Sequence, residues 1–182
     1  MKQNVSAMLF ACSLALMLVA GCTKPYKITT ELQRPVSRST EIAVGEITDE
    51  LPTEFDESKK PTAQDIESFR SHLQDEIRAM YEDLPGQMET EASTFQVRGS
   101  ILDYKKGSGF LRFMFGAWAG GSKLTTNLKL IDVKSGDVVF AGNFAGAVTS
   151  GYESGSEMWK RVAKDFVGAI KDQSKKLLKA KT

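Results

Sequence analysis

The hydrophobic positions fall into blocks of different period. Along residues 62–84, Ile66, Phe69, Leu73, Ile77, Met80 and Leu84 recur every three or four residues. That spacing predicts an amphipathic helix with one apolar stripe. Thr62 stands where an N-cap belongs, and Pro85-Gly86 closes the segment. Residues 40–48 alternate instead, with Ile42 and Val44 on one face and Ala43 and Ile47 on the other. They predict a strand covered on both sides. Residues 94–104 predict a second strand. Residues 122–133 and 138–150, joined by Lys134-Ser135-Gly136-Asp137, predict a hairpin with glycine at the position that favours positive φ. In its second strand Val138, Phe140, Phe144 and Val148 are expected on one face. The small residues Ala141, Ala145 and Ala147 are expected on the other, where a second backbone could approach. Ser154-x-x-Glu157 reads as a capping box opening a last helix, with a stripe of Trp159, Val162/Ala163, Phe166/Val167 and Ile170.

The order is therefore β-α-β-loop-β-β-α. It predicts an α/β (α+β) two-layer sandwich, a small mixed sheet with two amphipathic helices on one face. A helix between the first two strands implies that they run parallel. Residues 40–182 are expected to form this single domain. Residues 22–39 are polar with two prolines and read as a tether reaching on the order of 25 Å, although Tyr26–Leu32 could pair as an edge strand.

A different pattern occupies the first 21 residues. A short n-region with Lys2 precedes the apolar run Ala7–Ala20, which is shorter than the ~20 residues that span a bilayer. Val19-Ala20-Gly21-Cys22 follows and resembles the lipobox of bacterial lipoprotein signal peptides. The resemblance implies that residues 1–21 are removed and that Cys22 carries lipid, palmitate included. Each buried methylene contributes ~0.8 kcal/mol, so several acyl chains hold a protein on a membrane. Thr23 stands where such lipoproteins carry Asp for inner-membrane retention. This implies the periplasmic face of the outer membrane in a Gram-negative cell envelope.

Composition narrows the function. The 182 residues contain 24 Lys+Arg, 23 Asp+Glu, one histidine and two cysteines. Removing residues 1–21 takes away Lys2, leaving balanced charge and no sign of a nucleic-acid face. Cys12 leaves with the leader and Cys22 is spoken for, so the domain has neither disulfide nor cysteine-based metal site. His72, the one histidine, falls on the flank of the first helix and lacks a serine-elbow partner. The acids Asp49, Glu50, Glu54, Asp56 and Glu57 lack the calcium-loop spacing. The reading is of a non-enzyme without cofactor or metal. The lysines crowding residues 171–181 suit a helix C-terminus, and are also a candidate contact for anionic lipid or peptidoglycan.

One segment departs from the rest. Residues 107–123, "GSGFLRFMFGAWAGGSK", hold Phe110, Phe113, Phe115 and Trp118. Glycines flank these aromatics as candidate hinges: Gly107 and Gly109 before, Gly120 and Gly121 after. Gly116 and Gly121 have phosphate-loop spacing, but Ser122-Lys123 reverses the required order, and a strand follows instead of a helix. Nucleotide binding is excluded on that ground. The segment is either a plug on the sheet or an exposed interaction loop.

With the lipobox, this loop and "LIDVKSGDVVFAGNF", the chain resembles a family of small bacterial lipoproteins known by a domain of unknown function, number 4410 of its series. The markers are Gly109, Phe115, Gly116, Gly120, Lys123, Leu124 and the Asp132/Gly136 turn. In architecture it is similar to two small periplasmic domains. One is the lipoprotein activator of a penicillin-binding protein, the other the N-terminal domain of the Tol β-propeller protein. Both imply work by protein contact. Three functions follow in order: an anchored domain that binds an envelope protein, a self-associating lipoprotein whose aromatic loop touches the membrane, and an enzyme of envelope glycan or lipid.

Overall fold

The computed structural model describes residues 25–84, 93–108, 121–148 and 156–180. Five strands, β1 (Tyr26–Thr30), β2 (Glu41–Asp49), β3 (Thr94–Lys105), β4 (Ser122–Asp132) and β5 (Val138–Val148), form one sheet in the order β1-β5-β4-β3-β2. Two helices, α1 (Ala63–Asp83) and α2 (Glu157–Lys179), complete a two-layer α/β sandwich. β2 and β3 are parallel, as the intervening helix requires; all other pairs are antiparallel.

Apolar stripes on both helices meet the even face of β4 and β5. α1 buries Phe69, Leu73, Ile77 and Met80, and α2 buries Trp159, Val162, Ala163, Phe166, Val167 and Ile170. Trp159 lies 5.3 Å from Phe69 and 5.6 Å from Tyr104, between ring centres. Phe166 meets Phe140 at 5.7 Å and Phe144 edge-on at 5.3 Å. Full burial of each large side chain contributes about 1.5–3 kcal/mol. Thr62 caps α1 through a reciprocal box with Asp65, the Thr62 hydroxyl accepting from the Asp65 N–H at 3.1 Å. The KSGD turn has Gly136 at φ 78°, a conformation that costs a side-chain-bearing residue roughly 1–2 kcal/mol.

Four expectations are corrected. Residues 25–39 are more than a tether, because the domain begins before Thr40. Tyr26–Thr30 pairs with Phe144–Ala141 as an edge strand, and Leu32 and Val36 are buried. The Val36 N–H donates to the buried Ser174 hydroxyl at 3.0 Å. Two prolines and many polar residues hid a segment that fully buries only two apolar side chains, with Tyr26 and Ile28 packed partly against the core. Second, β2 is covered on one face. A shift in register between Val44 and Ile47 brings Ile47 round to the face of Ile42 and Val44, leaving Ala43 exposed. Third, a bulge at the start of β5 buries Val139 and leaves Val138 36% exposed. The close approach in this strand occurs at Gly146, not on the alanine face. A Cβ at Gly146 would run into the Met158 carbonyl of α2. Fourth, α2 begins at Glu157 with Ser156 at its N-cap, and Ser154 lies outside the described residues.

The second face of the sheet is polar and open. Asn127 donates to Asn143 at 2.7 Å across β4 and β5, and Arg98 donates to Gln96 at 2.7 Å along β3. Glycine would not be replaceable at Gly99, where a Cβ would strike the Leu128 side chain and the Asn127 carbonyl.

Candidate functional site

Strand direction gives the sheet two distinct ends. At one, here the turn end, lie the β4–β5 turn, the C-terminus of α1 and the C-terminus of α2. At the other lie Pro25, Lys105, Ser122, Val148 and the first turns of both helices. Ser122 is paired with Val148, and Lys105 with Lys123. Ala145 donates to the Pro25 carbonyl at 2.9 Å. This second end is the tether end, because residues 22–24 join the domain there.

The candidate residues distribute as follows. Cys22, Phe110, Phe113, Phe115, Trp118, Gly109 and Gly120 lie outside the described residues. Gly107 and Gly121, the outer hinges, both stand at the tether end. The Gly107 N–H donates to the Ser122 hydroxyl at 3.1 Å, closing the base of the loop. Among the described residues Gly136 is the one glycine at positive φ. Cys22 precedes Pro25 by three peptide units, a length of chain that spans at most about 11 Å. The loop flanks and the approach to Cys22 thus share one end of the sheet, which spacing in the sequence could not show.

That end carries a groove of about 570 Å³, lined by Pro25, Lys123, Ala145, Gly146, Ala147, Arg161, Lys164 and Asp165. It forms where β1 stops and β5 runs on to Val148. Its floor is the small Ala145-Gly146-Ala147 run; its rim has three cations and one acid. Arg161 donates to the Ala147 carbonyl at 2.6 Å, and Lys123 pairs with Asp103 at 2.7 Å. Lys105, Lys106 and Lys160 are exposed nearby. Sequence reasoning missed this groove because its residues come from four separated segments. One signal was available: Lys160, Arg161 and Lys164 sit in the first turns of α2, where the helix dipole disfavours cations. Lys105 opposite Lys123 is also an unfavourable cross-strand pair. Local costs of this kind gather at functional surfaces.

Elsewhere the charged groups serve the fold. The acids of residues 49–57 meet lysines: Lys59 pairs with Asp56 at 3.0 Å, and Lys60 with Glu57 at 2.7 Å and Asp49 at 4.0 Å. Hydrogen bonds from Ser58 and then Lys59 hold the Asp56 carboxyl down to about 2. No group of three or more metal-ligating side chains occurs among the described residues. Burial pushes the Tyr104 hydroxyl up to about 12, keeping it neutral against Trp159. At the turn end, Asp132 accepts from the N–H groups of Lys134 and Ser135 at 2.8 and 3.2 Å and pairs with Arg34. Arg38 donates to the Tyr81 and Glu82 carbonyls at 3.0 and 2.9 Å, satisfying the C-terminus of α1. The lysines of α2 also lie toward this end, where Lys171 pairs with Asp83. They point the C-terminal charge away from the tether end.

The fold and surface define a small two-layer α/β domain with a basic groove where its N-terminal segment arrives. The chain belongs to the family described as a domain of unknown function, DUF4410, whose model matches residues 34–178. Among solved structures it is similar to the PelC dodecamer from Paraburkholderia phytofirmans. Identity is 17% and the TM-score 0.54, over 79% of this chain and 96% of that one. A second PelC dodecamer structure from the same organism gives 16% and 0.53, over 80% and 95%. Likeness at this identity is one of fold. A minor lipoprotein from Acinetobacter baumannii is 13% identical over 72% of this chain and 93% of its own. Its TM-score of 0.31 is too low to establish a shared fold. No curated protein matches the sequence.

Proposed function

We propose that this is an envelope lipoprotein, anchored through acylated Cys22 to the periplasmic face of the outer membrane, whose domain works by binding and not by catalysis. The observation that carries the reading is the convergence of two features at the tether end. Pro25, three residues after Cys22, stands at that end, and so do the described flanks of the aromatic loop, where Gly107 donates to Ser122. A lipid on Cys22 would hold that end, and with it Phe110, Phe113, Phe115 and Trp118, next to the bilayer. The balanced charge and the pairing of the acidic loop with Lys59 and Lys60 favour contact over chemistry.

The partner is an envelope protein or a second copy of the chain. PelC is a dodecamer, which favours self-association. Metabolic labelling of the full chain with radioactive palmitate tests the anchor. Label in the wild type, lost in Cys22→Ser together with release from membranes, is the expected result; an unlabelled wild type would overturn it. Light scattering on the detergent-extracted protein tests assembly, with a multiple of the chain mass expected and a monomer at all concentrations opposing it.

A further inference from the structure

We propose that the tether-end groove binds the phosphate headgroup of an anionic membrane lipid. The inference rests on the reading of Cys22 as the membrane anchor, since that reading places the groove at the bilayer surface. It adds a specific site to that anchor.

Three observations converge on this ligand. The first is charge: Lys123, Arg161 and Lys164 line the groove with one acid, Asp165, while Asp103 pairs with Lys123 at its edge. Lys105, Lys106 and Lys160 extend the positive field on the same end. Each cation near an anionic leaflet strengthens attachment about fivefold, and guanidinium and ammonium groups suit phosphate oxygens. The second is shape. The floor of Ala145, Gly146 and Ala147 presents methyl groups and backbone without bulk, and 570 Å³ lies within the range of sites that take small ligands. A glycerophosphate could set its oxygens on the rim and its carbons on that floor. The third is reach. Pro25 lines the groove, and Cys22 is three peptide units before it, a chain length of at most about 11 Å. An acyl chain on Cys22 and a headgroup in the groove would occupy the same leaflet together.

Two anchoring contacts close together act as one strong attachment, through effective concentration. The groove would then fix the orientation of a domain that a lipid alone would leave free to swing.

The test is sedimentation of residues 23–182 with vesicles. The buried core runs from Leu32 to Ile170, so this chain keeps all of it and has no acyl anchor of its own. Vesicles of phosphatidylglycerol in phosphatidylcholine are expected to bind it, and pure phosphatidylcholine to bind at least about tenfold less. Raising the salt should weaken the binding. Arg161→Glu with Lys164→Glu should weaken it at least about tenfold beyond any loss of folded protein, which a thermal melt measures because Arg161 also holds the Ala147 carbonyl. Lys175→Glu with Lys179→Glu, the same change in net charge at the other end of α2, should leave it intact. Inorganic phosphate at millimolar concentration should not displace the protein. Equal loss in both double variants would reduce the effect to bulk charge and overturn the site. Equal binding to neutral vesicles, or full displacement by phosphate alone, would overturn the lipid headgroup as its ligand. The palmitate experiment on Cys22 is independent: absence of acylation leaves this assay unchanged, and absence of vesicle binding leaves the acylation result unchanged.

Discussion

The two ends of the sheet spend their charged residues differently. At the turn end, cations and acids answer one another inside the chain. Asp132 is held by two N–H groups and Arg34, Arg38 closes the C-terminus of α1, and Lys171 reaches Asp83. At the tether end cations outnumber the acids around them, although Lys123 pairs with Asp103. Lys105 stands opposite Lys123, Lys160 and Arg161 crowd the start of α2, and the groove rim carries three cations against one carboxylate. One end is arranged for stability. The other accepts small electrostatic costs, as a surface does when its partner is outside the molecule.

Substitutions can break this contrast in graded steps. Trp159→Ala is the largest, because Trp159 fills the core beneath the tether end between Phe69 and Tyr104. A loss of about 3–5 kcal/mol is expected in denaturant unfolding, and vesicle binding should fall only as the folded fraction falls. Ser174→Ala removes the buried acceptor of the Val36 N–H and is expected to cost about 1–3 kcal/mol. It tests directly whether residues 32–36 belong to the folded unit; no loss would return them to the tether. Gly136→Ala places a Cβ at φ 78° and should cost about 1 kcal/mol, measured by the same unfolding curve, with vesicle binding unchanged.

The smallest step is at Asp132. Hydrogen bonds from Ser135 and Lys134, then the Arg34 charge, hold its carboxyl below the ordinary range, against the opposing effect of burial. A folded value below the unfolded one stabilises the fold at every pH above the unfolded value of about 3.9. That stability fades as pH falls through the lowered folded value. Thermal midpoints measured from pH 6 downward should therefore drop faster in the wild type than in Asp132→Asn, which starts lower and lacks this titration.

Much of the fold is legible in the residues because its signals are local. The α1 stripe, its Thr62 cap and the KSGD turn each declare themselves within a few positions, and the parallel β2–β3 pair follows from the helix between them. What escaped depends on register. A bulge moved Ile47 to the core and exchanged Val138 for Val139; neither shift leaves a mark on simple alternation. The edge strand Tyr26–Thr30 was visible only as an option, because a short half-buried strand between prolines has a weak period. The aromatic loop and Cys22 were legible as candidates from composition alone. That their described flanks, Pro25, Gly107 and Gly121, stand at one end of one sheet depends on strand direction, and the groove at that end joins residues up to 140 positions apart.

The central claim is that the tether end, and not the turn end, meets the membrane. Hydrogen–deuterium exchange on the full chain extracted from membranes, compared in detergent and on phosphatidylglycerol-containing vesicles, tests it most directly. The account predicts added protection on vesicles at Lys105–Ser108, Gly121–Leu124 and Lys160–Asp165, with none at residues 133–137. Protection centred on residues 133–137, with the tether end exchanging as freely as in detergent, would contradict it.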